Sequence, residues 1–237
     1  MIDTHAHLER ILCDTRGGVD KIILASSDFL TSENNLKLAK KHNFLFPAIG
    51  IHPQSPAGQI ADLEKLITKN VVAIGECGLD YSEDNYDEKE QLISFKKQIE
   101  LSIKYKLPLI IHARKAVDEV VEILKEYKNI SGVFHCYAGG NKRIKKVFGL
   151  GFYFGIDGNL TYEDGLVDVV KNIPKDRLIL ETDCPYLTPL PFRGQENKPA
   201  YVKYIYQKVA QIWEMSLEET EKKVDGNAKR LFTNIPR

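Results

Sequence analysis

The chain is predicted to be an α/β protein, a single-domain (β/α)8 TIM barrel spanning residues 1–237, and three observations carry that prediction. Short β-branched apolar runs alternate with helical stretches from end to end. Several of these runs, such as KIILAS, VVAIG, LPLIIH and RLILET, are apolar almost throughout, as strands covered on both faces are. Eight β/α alternations in a chain of 237 residues suit a barrel better than an open doubly wound sheet, and no GxGxxG follows the first strand.

In chain order the expected strands are Met1–His5, Lys21–Ser26, Leu45–Ile51, Val71–Glu76, Pro108–His112, Gly132–His135, Gly151–Ile156 and Leu178–Thr182. Between them lie helical stripes. Leu92, Phe95, Ile99 and Ile103 share one helix face, as do Val117, Val120, Val121 and Leu124, and Val202, Ile205, Val209 and Ile212. Only Leu8 to Asp20, with Gly17-Gly18, separates the first two strands, so the first helical layer is expected to be abbreviated. No internal repeat, low-complexity tract or linker interrupts the pattern.

A hydrophobic content of 43% and a charged content of 28% are ordinary for a globular protein with a substantial core. Lys plus Arg equals Asp plus Glu at 33 each, which argues against a protein that coats nucleic acid non-specifically. It leaves room for an enzyme that grips phosphates locally. No run approaches the ~18 apolar residues of a membrane span. The opening MIDTHAHL has neither a basic n-region nor an apolar h-region, so no secretory signal is expected. The four cysteines, Cys13, Cys77, Cys136 and Cys184, are scattered without a CxxC pair, so no disulfide framework is expected and the cytoplasm is the simplest compartment. No obligate protein partner is indicated.

Five of the six histidines and the most suggestive carboxylates fall at strand ends. His5 and His7 follow the first strand, and residues i and i+2 of an extended segment point to one side. Glu76 closes VVAIGE, where a buried carboxylate is costly unless it is paired or bound to metal. His112 closes PLIIH, His135 closes GVFH and Asp183 follows LILET. Singly, each has an ordinary structural explanation: a hydrogen-bonded core histidine, a salt bridge, a helix cap. Together they converge on the C-terminal rim of a barrel, where active sites of this architecture lie. Four imidazoles and two carboxylates suit two divalent ions of the zinc, manganese or magnesium type, with a carboxylate as bridge.

The sequence resembles the TatD family of metal-dependent deoxyribonucleases, among the amidohydrolase-like TIM barrels. The matching stretches are DTHAHL, GIHP at 50–53, IGECGLDY at 74–81, PLIIHAR at 108–114, FHCYAG at 134–139, ETDCPYL at 181–187, PFRGQENKP at 191–199 and GNAKRLF at 226–232. The resemblance implies that His5, His7, Glu76 and Asp183 hold one metal ion and Glu76, His112 and His135 the other, with Glu76 bridging. It further implies that His52 and Arg114 contact substrate phosphate, and that Arg193 and Asn197 help to shape that pocket. As turn or surface residues, His52, Arg114 and Arg193 would need no such role. Asp80 and Tyr81 read as supporting residues, and Asp3 either as support for a ligand or as a buried, hydrogen-bonded acid.

On this reading Asp183 is the general base, and the expected activity is metal-dependent hydrolysis of phosphodiester bonds in DNA. Neutral charge favours a pocket for a strand end or a single-stranded segment, hence exonuclease-like trimming, and the resemblance implies 3'-5' action on single strands. Tyr81, Tyr137 and Phe192 are available for stacking. Alternatives are a D-aminoacyl-tRNA deacylase or another amidohydrolase-like hydrolase and, against the intact ligand set, a catalytically inactive binding protein. The abbreviated segment after His7 departs from the family pattern and spares the candidate ligands.

Overall fold

The computed structural model of the protein describes residues 1–8, 16–56, 58 and 60–236. Its apolar runs pair in sequence order as eight parallel strands: β1 (Ile2–Ala6), β2 (Lys21–Leu24), β3 (Leu45–Ile49), β4 (Ala73–Asp80), β5 (Leu109–Arg114), β6 (Gly132–Phe134), β7 (Tyr153–Ile156) and β8 (Leu178–Leu180). The sheet closes where β1 meets the chain leaving β8. There Thr4 Oγ1 donates to the Leu180 carbonyl at 3.0 Å, Asp183 N to His5 O at 2.9 Å and His7 N to Cys184 O at 2.9 Å. The fold is therefore the expected (β/α)8 barrel, a single domain. Helices α1 (Phe29–Ala39), α2 (Ile60–Leu63), α3 (Glu88–Tyr105), α4 (Val117–Lys125), α5 (Gly140–Gly149), α6 (Asp164–Asn172), α7 (Val202–Trp213) and α8 (Leu217–Leu231) surround it. Half of the short connection between β1 and β2, residues 9–15 with Cys13 included, lies outside the described residues.

The barrel interior is layered. At the lower level each strand contributes one side chain: Ile2, Ile23, Ala48, Ala73, Ile110, Val133, Tyr153 and Ile179. Ala228, Leu231, Phe232 and Ile235, from α8 and the chain just after it, close this level from below. Side chains two residues further along a strand point the same way. That rule puts His112 above Ile110, His135 above Val133 and Glu181 above Ile179. The same level receives Ala25 and Gly50, each just after its strand (β2 and β3), and Gly155 of β7, and these small residues leave space for the large polar groups. A Cβ on Gly155 would stand 2.6 Å from the Glu181 carboxylate.

His5 and Glu76 break the alternation, since each lies three residues beyond its lower-level neighbour. Two irregularities restore it. Asp3 and Ala6 pair with Ile22 and Leu24, and Ile74 and Cys77 pair with Leu109 and Ile111, so each first strand carries one extra residue. Such bulges re-aim a side chain, and here they turn His5 and Glu76 into the barrel. The strand expected to stop at Glu76 instead continues to Asp80, because β5 runs on to Arg114 and pairs with it through Gly78–His112 and Asp80–Arg114. Gly50 packs against the second bulge, and a Cβ there would meet Gly75 C at 2.4 Å. Gly50→Ala is expected to cost about 1–3 kcal/mol, as overpacking does, and to displace Glu76. A denaturant midpoint unchanged from wild type, with undiminished metal content, would disprove this.

The expected stripes face the barrel. Val117, Val120, Val121 and Leu124 are buried on α4, and Phe95 and Ile99 on α3, with Leu92 and Ile103 half-buried. Two glutamines share the inner face of α3. Gln98 pinches Ile51 from both sides, accepting from its N–H and donating to its carbonyl, each at 2.9 Å. Gln91 does the same to Asp80, at 2.8 and 2.9 Å. An amide side chain can mimic a strand partner in this way. The two glutamines fix the segments that present His52 and Asp80.

Candidate metal centre

Glu76 is the centre of the cluster because its two carboxylate oxygens face opposite ways. Oε2 lies 3.4 Å from His5 Nε2 and 3.1 Å from His7 Nε2. The same two nitrogens are 3.3 Å from each other, and 3.3 and 3.4 Å from Asp183 Oδ1. An ion held tetrahedrally at about 2.0–2.1 Å would space its ligand atoms about 3.3–3.4 Å apart. His5, His7 and Asp183 converge at that spacing and Glu76 Oε2 also approaches both histidines, so the four could hold a divalent ion. On the other side Oε1 lies 2.8 Å from His135 Nε2 and 3.7 Å from His112 Nδ1, and those nitrogens are 3.2 Å apart. Three donors converge there, enough for a second ion with one oxygen of a shared carboxylate.

The surroundings orient these groups. His112 Nε2 donates to Asp80 Oδ2 at 2.8 Å, which leaves Nδ1 free to face Glu76; a carboxylate behind a ligating histidine fixes its tautomer in this manner. Asp3 is fully buried, accepting from Thr182 N at 2.9 Å and Thr182 Oγ1 at 2.6 Å, and from His5 N at 3.3 Å. It is both a hydrogen-bonded core acid and the brace between two ligand-bearing segments. Burial pushes its pKa up to about 7. The closure bonds from His7 N and Asp183 N lock the same seam, so the contacts that complete the barrel also set the ligands. Asp183 adopts φ 53°, a left-handed turn that aspartate tolerates.

The electrostatics suit a cation. Burial disfavours charge on His112, yet Asp80 and Glu76 raise its pKa to about 9. At His7 burial is likewise outweighed, by Asp183 and Glu76, and its pKa rises well above the ordinary value. Glu76 and Asp183 stay ionised despite burial because imidazoles surround them. Positive charge is thus drawn to the centre, and a divalent ion supplies it without protons. His135 is the exception: burial, and then His5, lower its pKa, which keeps it a neutral donor.

His7, Glu76, His112, His135 and Asp183 line one pocket of about 400 Å³, together with His52, Arg114, Asp80, Ser27, Gln54 and Tyr186, and His5 lies beneath them. His52 is held by its N–H on Ser27 O at 2.8 Å, and its Nδ1 accepts from Gln54 N at 3.2 Å. Burial lowers its pKa to about 4, so the ring is neutral with its proton on Nε2, a donor aimed by the backbone. Arg114 ends β5 at the pocket wall with its side chain exposed. Arg193 is not brought to this wall; its guanidinium stacks 4.1 Å from the centre of the Tyr162 ring. Asn197 is buried and donates to the carbonyls of Thr182 and Tyr186 at 2.8 and 2.6 Å, so it holds the Asp183 turn from behind. Tyr81 stacks on Tyr86 at 4.6 Å, Tyr137 packs in the core and Phe192 stacks on Tyr201 at 4.3 Å.

Tyr186, Ser27 and Gln54 are wall residues that sequence reasoning missed. Tyr186 is about half exposed, with its ring edge-on to His7 at 6.2 Å. Its place three residues after Asp183, in a turn closed by Tyr186 N on Asp183 O at 2.9 Å, was the available signal. Cys77, Cys136 and Cys184, each following a candidate ligand, are free thiols. No helix among the described residues is long and apolar enough to cross a membrane.

Known proteins carry the same pattern. The family model described as TatD related DNase matches residues 2–233. The chain is 38% identical to an uncharacterized metal-dependent hydrolase of Bacillus subtilis, over 98% of each chain. It is 30% identical to a Pantoea ananatis protein named 3'-5' ssDNA/RNA exonuclease TatD, over 94% of this chain and 92% of that one. Among solved structures, the TatD homologue YjjV of Escherichia coli superposes with a TM-score of 0.90 at 28% identity, covering 100% of this chain and 98% of that one. With a barrel closed through its own ligand-bearing segments and a family match over nearly its whole length, the chain belongs to the TatD-related family of metal-dependent hydrolases.

Proposed function

We propose that the protein is a cytoplasmic two-metal phosphodiesterase that trims single-stranded DNA from its 3' end. The observation that carries this reading is the split carboxylate of Glu76, which gives two donor sets one shared bridge beside His52 and Arg114. His5, His7, Glu76 and Asp183 would hold one ion, and Glu76, His112 and His135 the other. Magnesium, manganese and zinc all suit these mixed ligands. Bound divalent ions would supply a water acidified to a pKa of about 7 and Lewis-acid stabilisation of the phosphoryl oxygens.

The chain's own groups do the rest. Arg114 offers a guanidinium fork to the phosphate, and His52 offers its Nε2–H. Asp183 accepts the proton of the attacking water. It is the acid best placed to do so, with its side chain 13% exposed against 5% for Glu76 and 1% for Asp80. Further support comes from the exonuclease name of the Pantoea relative. A pocket of about 400 Å³ is sized for a strand end rather than a duplex.

The test is a panel of end-labelled single-stranded DNA, duplex DNA and D-aminoacyl-tRNA, offered to metal-reconstituted protein with a chelator control. Single strands are expected to shorten stepwise from the 3' end, with the rate falling at least about 100-fold when the ions are stripped. Chelator-sensitive turnover of D-aminoacyl-tRNA alone would replace this reading with a deacylase. Absence of chelator-sensitive turnover on all three would remove nucleic acid as the substrate.

A further inference from the structure

The formal net charge of zero hides an uneven rim. On one side of the metal pocket, and sharing Gln54 with it, lies a groove of about 500 Å³ whose wall, among the described residues, carries Glu83, Asp87 and Glu90 and no Lys or Arg. A phosphate backbone would be repelled there. On the other side the wall carries both signs, with Lys115 and Arg143 beside Asp118 and Glu119, and a basic helix follows it. Arg114 is followed by exposed Lys115, and Lys115 shares a cavity of about 330 Å³ with Arg143 of α5. Helix α5, GNKRIKKVFG, has Lys142, Arg143, Lys145 and Lys146 and no acid. It starts five residues after His135, so its first turn stands at the rim beside the pocket.

The acid closest to this helix is already engaged. Asp118 pairs with Arg143 at 2.6 Å and Lys146 at 2.8 Å. Lys142 and Lys145 are exposed and have no ion-pair partner among the described residues. Two lysines kept unneutralised on an acid-free helix, beside a phosphate pocket with an acidic far wall, give the rim a direction.

We infer that the phosphate backbone of a bound single strand leaves the metal centre over Arg114 and Lys115 and runs onto α5, where Lys142 and Lys145 contact it several nucleotides from the scissile bond. This rests on the nuclease reading and adds a path to it. The lysines act as point charges on phosphate, so they carry affinity and no base preference.

The test compares wild type with Lys142→Ala/Lys145→Ala, both exposed on a helix where alanine is well tolerated. The ligands are a fluorescent 15-nucleotide phosphorothioate strand for binding, and unmodified 15-nucleotide and dinucleotide substrates for hydrolysis. Each single-strand contact contributes about 0.7 to the slope of log affinity against log salt, so the slope should flatten by about 1.4 and 15-mer binding should weaken roughly tenfold at moderate salt. Dinucleotide hydrolysis should stay within about twofold, because that substrate cannot reach α5. Lys142→Glu/Lys145→Glu should weaken the long strand further, and Glu83→Gln/Glu90→Gln should change its affinity by less than about threefold. An unchanged salt slope in the alanine pair, or equal losses on both substrate lengths, overturns the path while leaving the nuclease reading intact. A wild type that neither binds the strand nor cleaves either substrate overturns both.

Discussion

Glu76→Ala should lower the bound metal from two ions per chain to one and depress hydrolysis by about 10³-fold, as removal of a main stabilising group does in other active sites. The asymmetry follows from the two donor sets. Without Glu76, the side facing β1 keeps His5, His7 and Asp183, whose ligand atoms stay 3.3–3.4 Å apart. Three convergent donors still hold an ion. Of its three donors the other side keeps His112 and His135, two imidazoles without the carboxylate that joined them. Asp80 cannot substitute, because it is committed to the far nitrogen of His112 at 2.8 Å. Glu76→Gln is a sharper version: it preserves volume in a side chain only 5% exposed but presents one carbonyl oxygen instead of two. It too should retain one ion. Metal content by elemental analysis after gel filtration decides the matter, and two ions retained in either variant would end the bridging assignment.

The limits of sequence reading at this site have a physical cause. Apolar runs reported the barrel well, because a strand buried on both faces has no polar positions to confuse the pattern. Strict alternation also holds at His112 and His135, which stand above Ile110 and Val133. It would have turned His5 and Glu76 outward relative to Ile2 and Ala73, and only the extra residue in each strand brings them in. A bulge leaves no periodic trace. The motif DTHAHL and the glutamate of IGECGLDY therefore pointed to these ligands where spacing alone could not. For the same reason the strand ending was misplaced: Glu76 reads as a polar terminus, yet β4 continues through Gly78, whose missing Cβ lets the chain pass the backbone of His112.

Other features were illegible because they depend on who packs against whom. Gln91 and Gln98 look like polar interruptions of a helix stripe, and only the fold shows that they clamp Asp80 and Ile51. Arg193 sits in a motif that suggested the phosphate pocket, but the face of Tyr162 captures its guanidinium. Overall charge was the least informative quantity. A sum of zero cannot distinguish a neutral rim from one with Glu83, Asp87 and Glu90 on one side and Lys115, Lys142 and Lys145 on the other.

Asp183→Asn should leave the fold intact and reduce single-turnover hydrolysis by about 10²–10⁴-fold at saturating metal, the range that loss of a positioned proton acceptor produces. Asparagine is the informative replacement because of the backbone. Asp183 sits at φ 53°, where asparagine is nearly as comfortable as aspartate and alanine is not. Its N–H closes the barrel on His5 O at 2.9 Å, a bond that no side-chain change removes. The seam should therefore survive, with Asp3 still bracing Thr182 and His5. What changes is the side chain: an amide oxygen can still approach an ion, more weakly, but an amide cannot take a proton at neutral pH. Measuring metal content alongside the rate separates the two roles. A variant that holds both ions and has lost its rate marks Asp183 as the base, whereas a variant that has lost an ion in proportion to its rate marks it as a ligand only. Near-native turnover with full metal content would leave the proton to another group; among the described residues the other acids on the pocket wall are Glu76, the proposed bridge, and Asp80, which His112 already occupies.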